Sequence, residues 1–162
     1  TVYLADGATE TYDACTNPSS SDYATVPEGV YQAKVGSHKG KYTALRMSDT
    51  DGSGKIELGE PNPNPNYSDG RTYAEGINIH KAGEKNLTGM TDNNSPVSAG
   101  CLLIDRNNWD GFIGNFDNAS QKTNVVSVTV SRTLSSPSNA MIRPAFNFIL
   151  KGSRFNFFNN RR

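Results

Sequence analysis

The chain has little that could staple or anchor it. Among 162 residues there are two cysteines, two histidines and one tryptophan. Cys15 and Cys101 allow one disulfide and no more. No apolar run approaches the roughly 20 residues of a membrane-spanning helix, and no secretory leader is visible. Hydrophobic residues make up only 35%, against 15 Gly and 8 Pro. Such a composition suits a turn-rich β protein with long polar loops, and it stops short of disorder. A chain of this length is enough for one domain with a real core. Thr1 opens directly in strand-like sequence, so a processed protein or a piece of a longer one is expected, any targeting segment lying outside it. Acid is missing from residues 121–162, which hold seven Lys or Arg, so the net charge of zero conceals +7 there and −7 before it. A basic aromatic tail would suit nucleic acid, an anionic membrane or an anionic wall polymer. The alternation of Ile142, Pro144, Phe146, Phe148 and Leu150 with more polar residues points elsewhere. It predicts a hairpin, resumed at Phe155–Phe157, whose phenylalanines pack on the core while the arginines face water.

The chemistry concentrates in Gly76–Arg106. In Gly76–His80, Ile77 and Ile79 alternate with Asn78 and His80, which predicts a strand with His80 facing away from the core. Cys101 follows Gly100 and precedes Leu102, Leu103 and Ile104, another buried strand. A glycine before the cysteine opens both amides to close approach. If the loop folds back, a thiol and an imidazole meet beside two N–H groups. Those are the nucleophile, base and oxyanion hole of acyl transfer. The plain alternatives are a small buried cysteine, a hydrogen-bonded rim histidine, or a Cys15–Cys101 bridge. The catalytic reading requires a free thiol at Cys101.

This segment resembles the signature of the L,D-transpeptidase catalytic domain family: a His, a loop, then Ser/Thr-His-Gly-Cys. Seventeen residues separate His80 from Ser98, and Ser98-Ala99-Gly100-Cys101 completes the pattern. Val26-Pro27-Glu28-Gly29-Val30-Tyr31 is similar to the family's upstream Thr-Pro-x-Gly-x-Tyr stretch, and the first residues resemble its opening hairpin. The likeness covers roughly residues 1–130. One position departs, since the family's second His is Ala99 here. The resemblance implies a cysteine acyltransferase acting on peptidoglycan stem peptides by transpeptidation, exchange or L,D-carboxypeptidase trimming. Cys101 would be the nucleophile and His80 the base, forming a thiolate–imidazolium pair. The carbonyl of Lys81 or a neighbour would fix the other ring nitrogen. Gly100 and Cys101 would supply the oxyanion amides, and Ser98 would hydrogen-bond within the turn. The loss at Ala99 suits an alternative, a catalytically weak relative that binds wall peptides or a protein partner. A secreted cell-wall-targeting effector domain is a further alternative. Sortase-type enzymes separate His and Cys more widely, and the papain order, Cys before His, does not fit this pair.

Elsewhere, Asp6-Gly7 predicts a turn between strands Val2–Ala5 and Thr9–Cys15. Val30–Val35 and Tyr42–Met47 form a second pair, joined through Gly36–Gly40, in whose turn His38 reads as solvated and outside the site. Asp49–Glu60 matches a twelve-residue calcium loop, with Asp49, Asp51, Ser53, Lys55 (through its carbonyl), Glu57 and Glu60 as ligands. The flanks are not helical, and Pro61-Asn62-Pro63-Asn64-Pro65 forbids a helix after it. A structural Ca2+ is therefore weighed against a plain hairpin tip. Pro61–Arg71 reads as a plain surface loop, with a lid over the site as the alternative, and Lys81–Val97 is expected to form the other wall of the site. Trp109, Phe112, Ile113 and Phe116 predict one short helix within Asn107–Asp117, and Val125–Ser131 a strand. The resulting expectation is a mainly β, L,D-transpeptidase-like β-sandwich over 1–132, with one short helix after the Cys and a C-terminal hairpin extension over 133–162. No cofactor is needed for the chemistry, nucleic acid is not a favoured partner, and a monomer in the periplasm, cell envelope or medium is expected.

Overall fold

A computed structural model describes residues 1–4, 7–16, 18, 20–83, 87, 90–116 and 125–131, together with the backbone of 132 and 146–152. The fold is mainly β with one short helix. Its strands are β1 Val2–Tyr3, β2 Thr9–Glu10, β3 Ala14–Cys15, β4 Gly29–His38, β5 Tyr42–Ser48, β6 Lys55–Glu57, β7 Tyr73–Glu75, β8 Asn78–Lys81, β9 Leu102–Ile104, β10 Val125–Arg132 and β11 Phe146–Gly152. The helix is α1, Trp109–Gly114. Nine strands form one sheet in the order β2-β1-β11-β10-β4-β5-β8-β9-β3, while β6 and β7 form a separate ribbon.

The edges of the large sheet explain its shape. Nine strands laid flat would span about 38 Å. Yet β2 and β3 stand at opposite edges and are joined through Thr11–Asp13, which reach no more than about 14 Å. The sheet therefore curls around its core. The single return strand expected over Thr9–Cys15 is accordingly split, because its two halves pair with different edges: Val2 with Glu10, and Cys15 with Leu103. Tyr12 lies between them, its ring edge-on to Phe112 at 5.5 Å.

Alternation decides what each strand buries. Val126, Val128 and Val130 are buried on one face of β10, and Ile77, Ile79, Leu102 and Ile104 join them in the core with Leu45 and Met47. Trp109, Phe112, Ile113 and Phe116 close it from α1 and the turn after it. That helix is short, as its two glycines require. In the Val26–Tyr31 stretch, Tyr31 is buried and donates its hydroxyl to the Pro27 carbonyl at 2.9 Å. A Cβ on Gly29 would stand 3.3 Å from that ring oxygen, so the bare backbone leaves room for the tyrosine to fold back.

The chain after 132 enters the described structure only as β11, an internal strand between β10 and β1. The expected return at Phe155–Phe157 lies outside the described residues. Among those residues no helix is long and apolar enough to cross a membrane.

Candidate active site

Parallel pairing brings the two halves of the Gly76–Arg106 segment together. β8 and β9 lie side by side with Ile79 opposite Leu102 and His80 opposite Leu103. Cys101, one residue before β9, is thus level with Asn78 and shares a sheet face with Asn78 and His80. Strand geometry separates the Cys101 and His80 Cα atoms by about 8 Å. Cys101 is a free, partly buried cysteine, which meets the requirement for a free thiol.

His80 is held at one nitrogen. Its Nδ1 lies 2.9 Å from the Lys81 carbonyl and 3.3 Å from the Tyr42 hydroxyl, which itself reaches the Lys81 carbonyl at 3.4 Å. A carbonyl accepts only, so Nδ1 carries the proton and Nε2 is left as the basic nitrogen. Lys81 therefore contributes the backbone acceptor that the resemblance implies. Ser98 is buried and donates to the Cys101 carbonyl at 2.7 Å, tying the turn to the start of β9. Gly100 has φ +101°, and a Cβ there would meet the Ala24 carbonyl oxygen at 3.2 Å, so this turn admits a glycine and little else.

The thiol and the imidazole make no hydrogen bond with each other. Cys101 Sγ lies 4.0 Å from the Gly76 carbonyl, a weak contact. Burial pushes the thiol pKa up, partly offset by the backbone and side-chain amides of Asn78 and by the charge of Lys39. Burial also pushes His80 down from 6.5 to about 4, against the Lys81 carbonyl, with His38 and Lys39 lowering it further. Both shifts disfavour charge. Desolvation outweighs the local hydrogen bonds, so burial opposes the expected thiolate–imidazolium pair.

Two neighbours escape a reading of the sequence. His38 is partly buried and lies in a strand, not in the turn. β4 runs to His38, which pairs with Tyr42, and the turn falls at Lys39 and Gly40, both with positive φ. His38 stacks on His80 with ring centroids 4.0 Å apart and planes 21° from parallel. Its Nδ1 is buried without a hydrogen-bond partner. Asn78 is buried too, donating to the Gly76 carbonyl at 2.7 Å while its Oδ1 has no partner. The hint of His38 in the sequence is parity: it lies at odd spacing from the buried Tyr31 and Ala33, on the face turned from the core, once the strand is extended past Val35.

The Pro61–Arg71 excursion comes near Gly100, and neither Cys101 nor His80 lines the groove between them. A groove of about 120 Å³ is bounded by Ala99, Gly100 and Ile77 on one side and Tyr67, Arg71 and Tyr73 on the other. Two asparagines pin this excursion. Asn62 exchanges hydrogen bonds with the Thr25 backbone at 3.0 and 3.1 Å, and buried Asn64 donates to the carbonyls of Ser20 and Tyr23 at 3.1 and 2.9 Å. The described part of Lys81–Val97 does not line this groove; it forms its own turn, closed by Thr91 N–H on the Ser95 carbonyl at 2.7 Å.

The Asp49–Glu60 loop stands apart. Asp49, Asp51, Ser53, Lys55, Glu57 and Glu60 all line one open cavity of about 450 Å³. Gly52 and Gly54 turn the chain with φ 73° and 83°. The oxygens are engaged locally: Asp49 accepts from Glu57 N–H at 3.0 Å and Asp51 from Ser53 N–H at 2.9 Å. The Lys55 carbonyl accepts from Asp49 N–H at 2.7 Å. Among the described residues no three His, Cys, Asp or Glu side chains converge to hold a metal ion. The donor set, all oxygen, suits a hard cation, but the carboxylates stand apart around the cavity.

No family model, curated protein or solved structure matches this chain.

Proposed function

We propose that the chain is a cysteine acyltransferase acting on peptidoglycan stem peptides, with Cys101 as nucleophile and His80 as general base. The observation that carries this reading is the Lys81 carbonyl on His80 Nδ1, which leaves Nε2 as a proton acceptor on the sheet face that also bears Cys101. Because burial disfavours charge on both groups, proton transfer accompanies attack. Cys101 Sγ bonds to the carbonyl carbon of the third stem residue while its proton passes to His80 Nε2. The tetrahedral oxyanion forms beside the Gly100 and Cys101 amides. Its collapse breaks the C–N bond to the terminal D-alanine, whose amine takes the proton from His80 and departs. The thioester then passes to an amine, giving a cross-link or exchange, or to water, giving trimming. In either case the incoming nucleophile gives up a proton and the thiol is restored. A periplasmic, envelope-bound or secreted setting follows from that substrate.

A second reading has its own support. With no hydrogen bond between Cys101 and His80, and burial disfavouring charge on both, a relative that binds wall peptides without turning them over fits the site. Mass spectrometry of disaccharide-tetrapeptide muropeptides separates the two. Wild type should yield a cross-linked dimer, an exchanged terminal residue or a tripeptide, and Cys101→Ala none of them with the fold intact. Unchanged muropeptides with folded wild type whose Cys101 titrates as a free thiol would sink the acyltransferase and leave the binding reading.

For the Asp49–Glu60 loop we propose a structural Ca2+, held by Asp49, Asp51, Ser53, the Lys55 carbonyl, Glu57 and Glu60, with no part in the chemistry. Bound Ca2+ should raise the melting temperature relative to chelator, and Asp49→Asn with Glu60→Gln should remove the difference. Identical melting curves with Ca2+ and chelator for wild type would dismiss the site.

A further inference from the structure

We propose that His38 is a positioning residue for the His80 imidazole: delivered from the β4–β5 hairpin, its ring stacks on the His80 ring and holds it in the plane set by the Lys81 carbonyl. This rests on reading His80 as the base. A hydrogen bond at Nδ1 fixes one point of the imidazole and leaves the ring free to rock about it. Orientation requires a second constraint on the ring face. His38 supplies it at 4.0 Å and 21°, a stacked arrangement. His38 also packs against Tyr42, with centroids 5.4 Å apart, and Tyr42 is the second partner of His80 Nδ1. The three rings thus brace one another across β4, β5 and β8.

The hairpin register makes this arrangement. His38 pairs with Tyr42 across the turn, and β5 pairs with β8, so the end of the hairpin reaches the end of the strand that carries the base. The site lacks a histidine two residues before Cys101, where Ala99 is exposed, and a ring from another part of the chain lies on His80 instead. The titratable and charged groups around the pair are Lys39 and Lys41 in the turn, Tyr42, Lys81 with its ammonium 5.3 Å from the Tyr42 ring centroid, and Cys101. Burial, then Lys39 and Lys41, push the His38 pKa down from 6.5.

Nitrogen-15 NMR of the imidazoles in the full chain tests this without a substrate, using wild type, His38→Ala and His38→Phe, with His80→Gln for assignment. Wild type should show His80 as the Nδ1–H tautomer, titrating near 4. His38→Phe, which keeps a stacked ring, should preserve the tautomer. His38→Ala should mix the tautomers and move the midpoint towards 6.5 by on the order of one pH unit as water reaches the ring. An alanine variant indistinguishable from wild type overturns the proposal, and so does a phenylalanine variant that shifts as far as alanine. Should His38→Ala fail to fold, His38→Phe and the ring-to-ring nuclear Overhauser contacts of wild type decide; absent contacts overturn it. Muropeptide turnover is scored separately. Inert wild type refutes the acyltransferase, while the titrations still report whether His38 positions His80.

Discussion

His80 shows how much a single side chain owes to its surroundings. In water its imidazole would share a proton between two nitrogens and charge near 6.5; here Nδ1 is committed to a carbonyl and burial drives the midpoint to about 4. The consequence for stability has a definite sign. As pH falls through 6.5 the unfolded chain takes up a proton at this position and the folded chain does not, until about 4. Stability is therefore highest above 6.5 and is lost on acidification through that window. The full shift corresponds to about 3 kcal/mol, and solvent screening of a partly exposed ring reduces it to about 1–2 kcal/mol. Urea unfolding of wild type and His80→Gln at about pH 7 and about pH 4.5 isolates this share from the carboxylates. Wild type should lose more on acidification by that amount. Equal losses would mean that His80 is not desolvated.

At the scale of elements, the Pro61–Arg71 excursion is a pinned wall and not a swinging lid. Prolines keep it extended, but Asn62 and Asn64 fasten it to the Ser20–Thr25 backbone. Asn64 is buried, and it also accepts from Asn66 N–H at 3.1 Å, so its amide serves three backbone groups. Asn64→Ala should cost about 1–3 kcal/mol, because it leaves buried carbonyls unpaired. It should lower the melting temperature and open new limited-proteolysis sites within residues 61–71. Retained protease resistance would show that the wall is held by something else. The groove between this wall and Gly100 depends on the same fastening, so muropeptide binding should weaken with it.

For the molecule as a whole, closure of the curled sheet is the main structural event. Three residues connect its two edges, and Tyr12 among them packs edge-on to Phe112 and accepts from Asn115 Nδ2 at 3.0 Å while donating to Glu10. Tyr12→Ala removes that bridge and should cost about 2–4 kcal/mol. Hydrogen exchange should then accelerate at β2 and β3 together, though they lie at opposite edges of the sheet. Acceleration at one edge alone would show that Tyr12 does not join them. Much of this architecture is legible from local pattern: the alternation of β10, the apolar stripe of α1 and the Tyr42–Met47 strand are where the periodicity puts them. The split of Thr9–Cys15 is not legible, because both halves have acceptable strand sequence and only the partners differ.

The division between sequence and tertiary structure follows range. Chemistry that depends on neighbours in the chain was determined by the sequence alone: Lys81 beside His80, Gly100 before Cys101, the alternation that turns His80 from the core, and the oxygen donors of Asp49–Glu60. Such relations reach only a few residues, within the span that backbone geometry controls. Tertiary structure decided what depends on register and desolvation. It set His38 on His80 through a hairpin three pairs longer than its hydrophobic pattern implies, and it placed Asn78 beside Cys101 through a parallel pairing. It also turned both thiol and imidazole away from their charged forms, because a pKa is settled by the medium around a group, and that medium exists only after the sheet has closed.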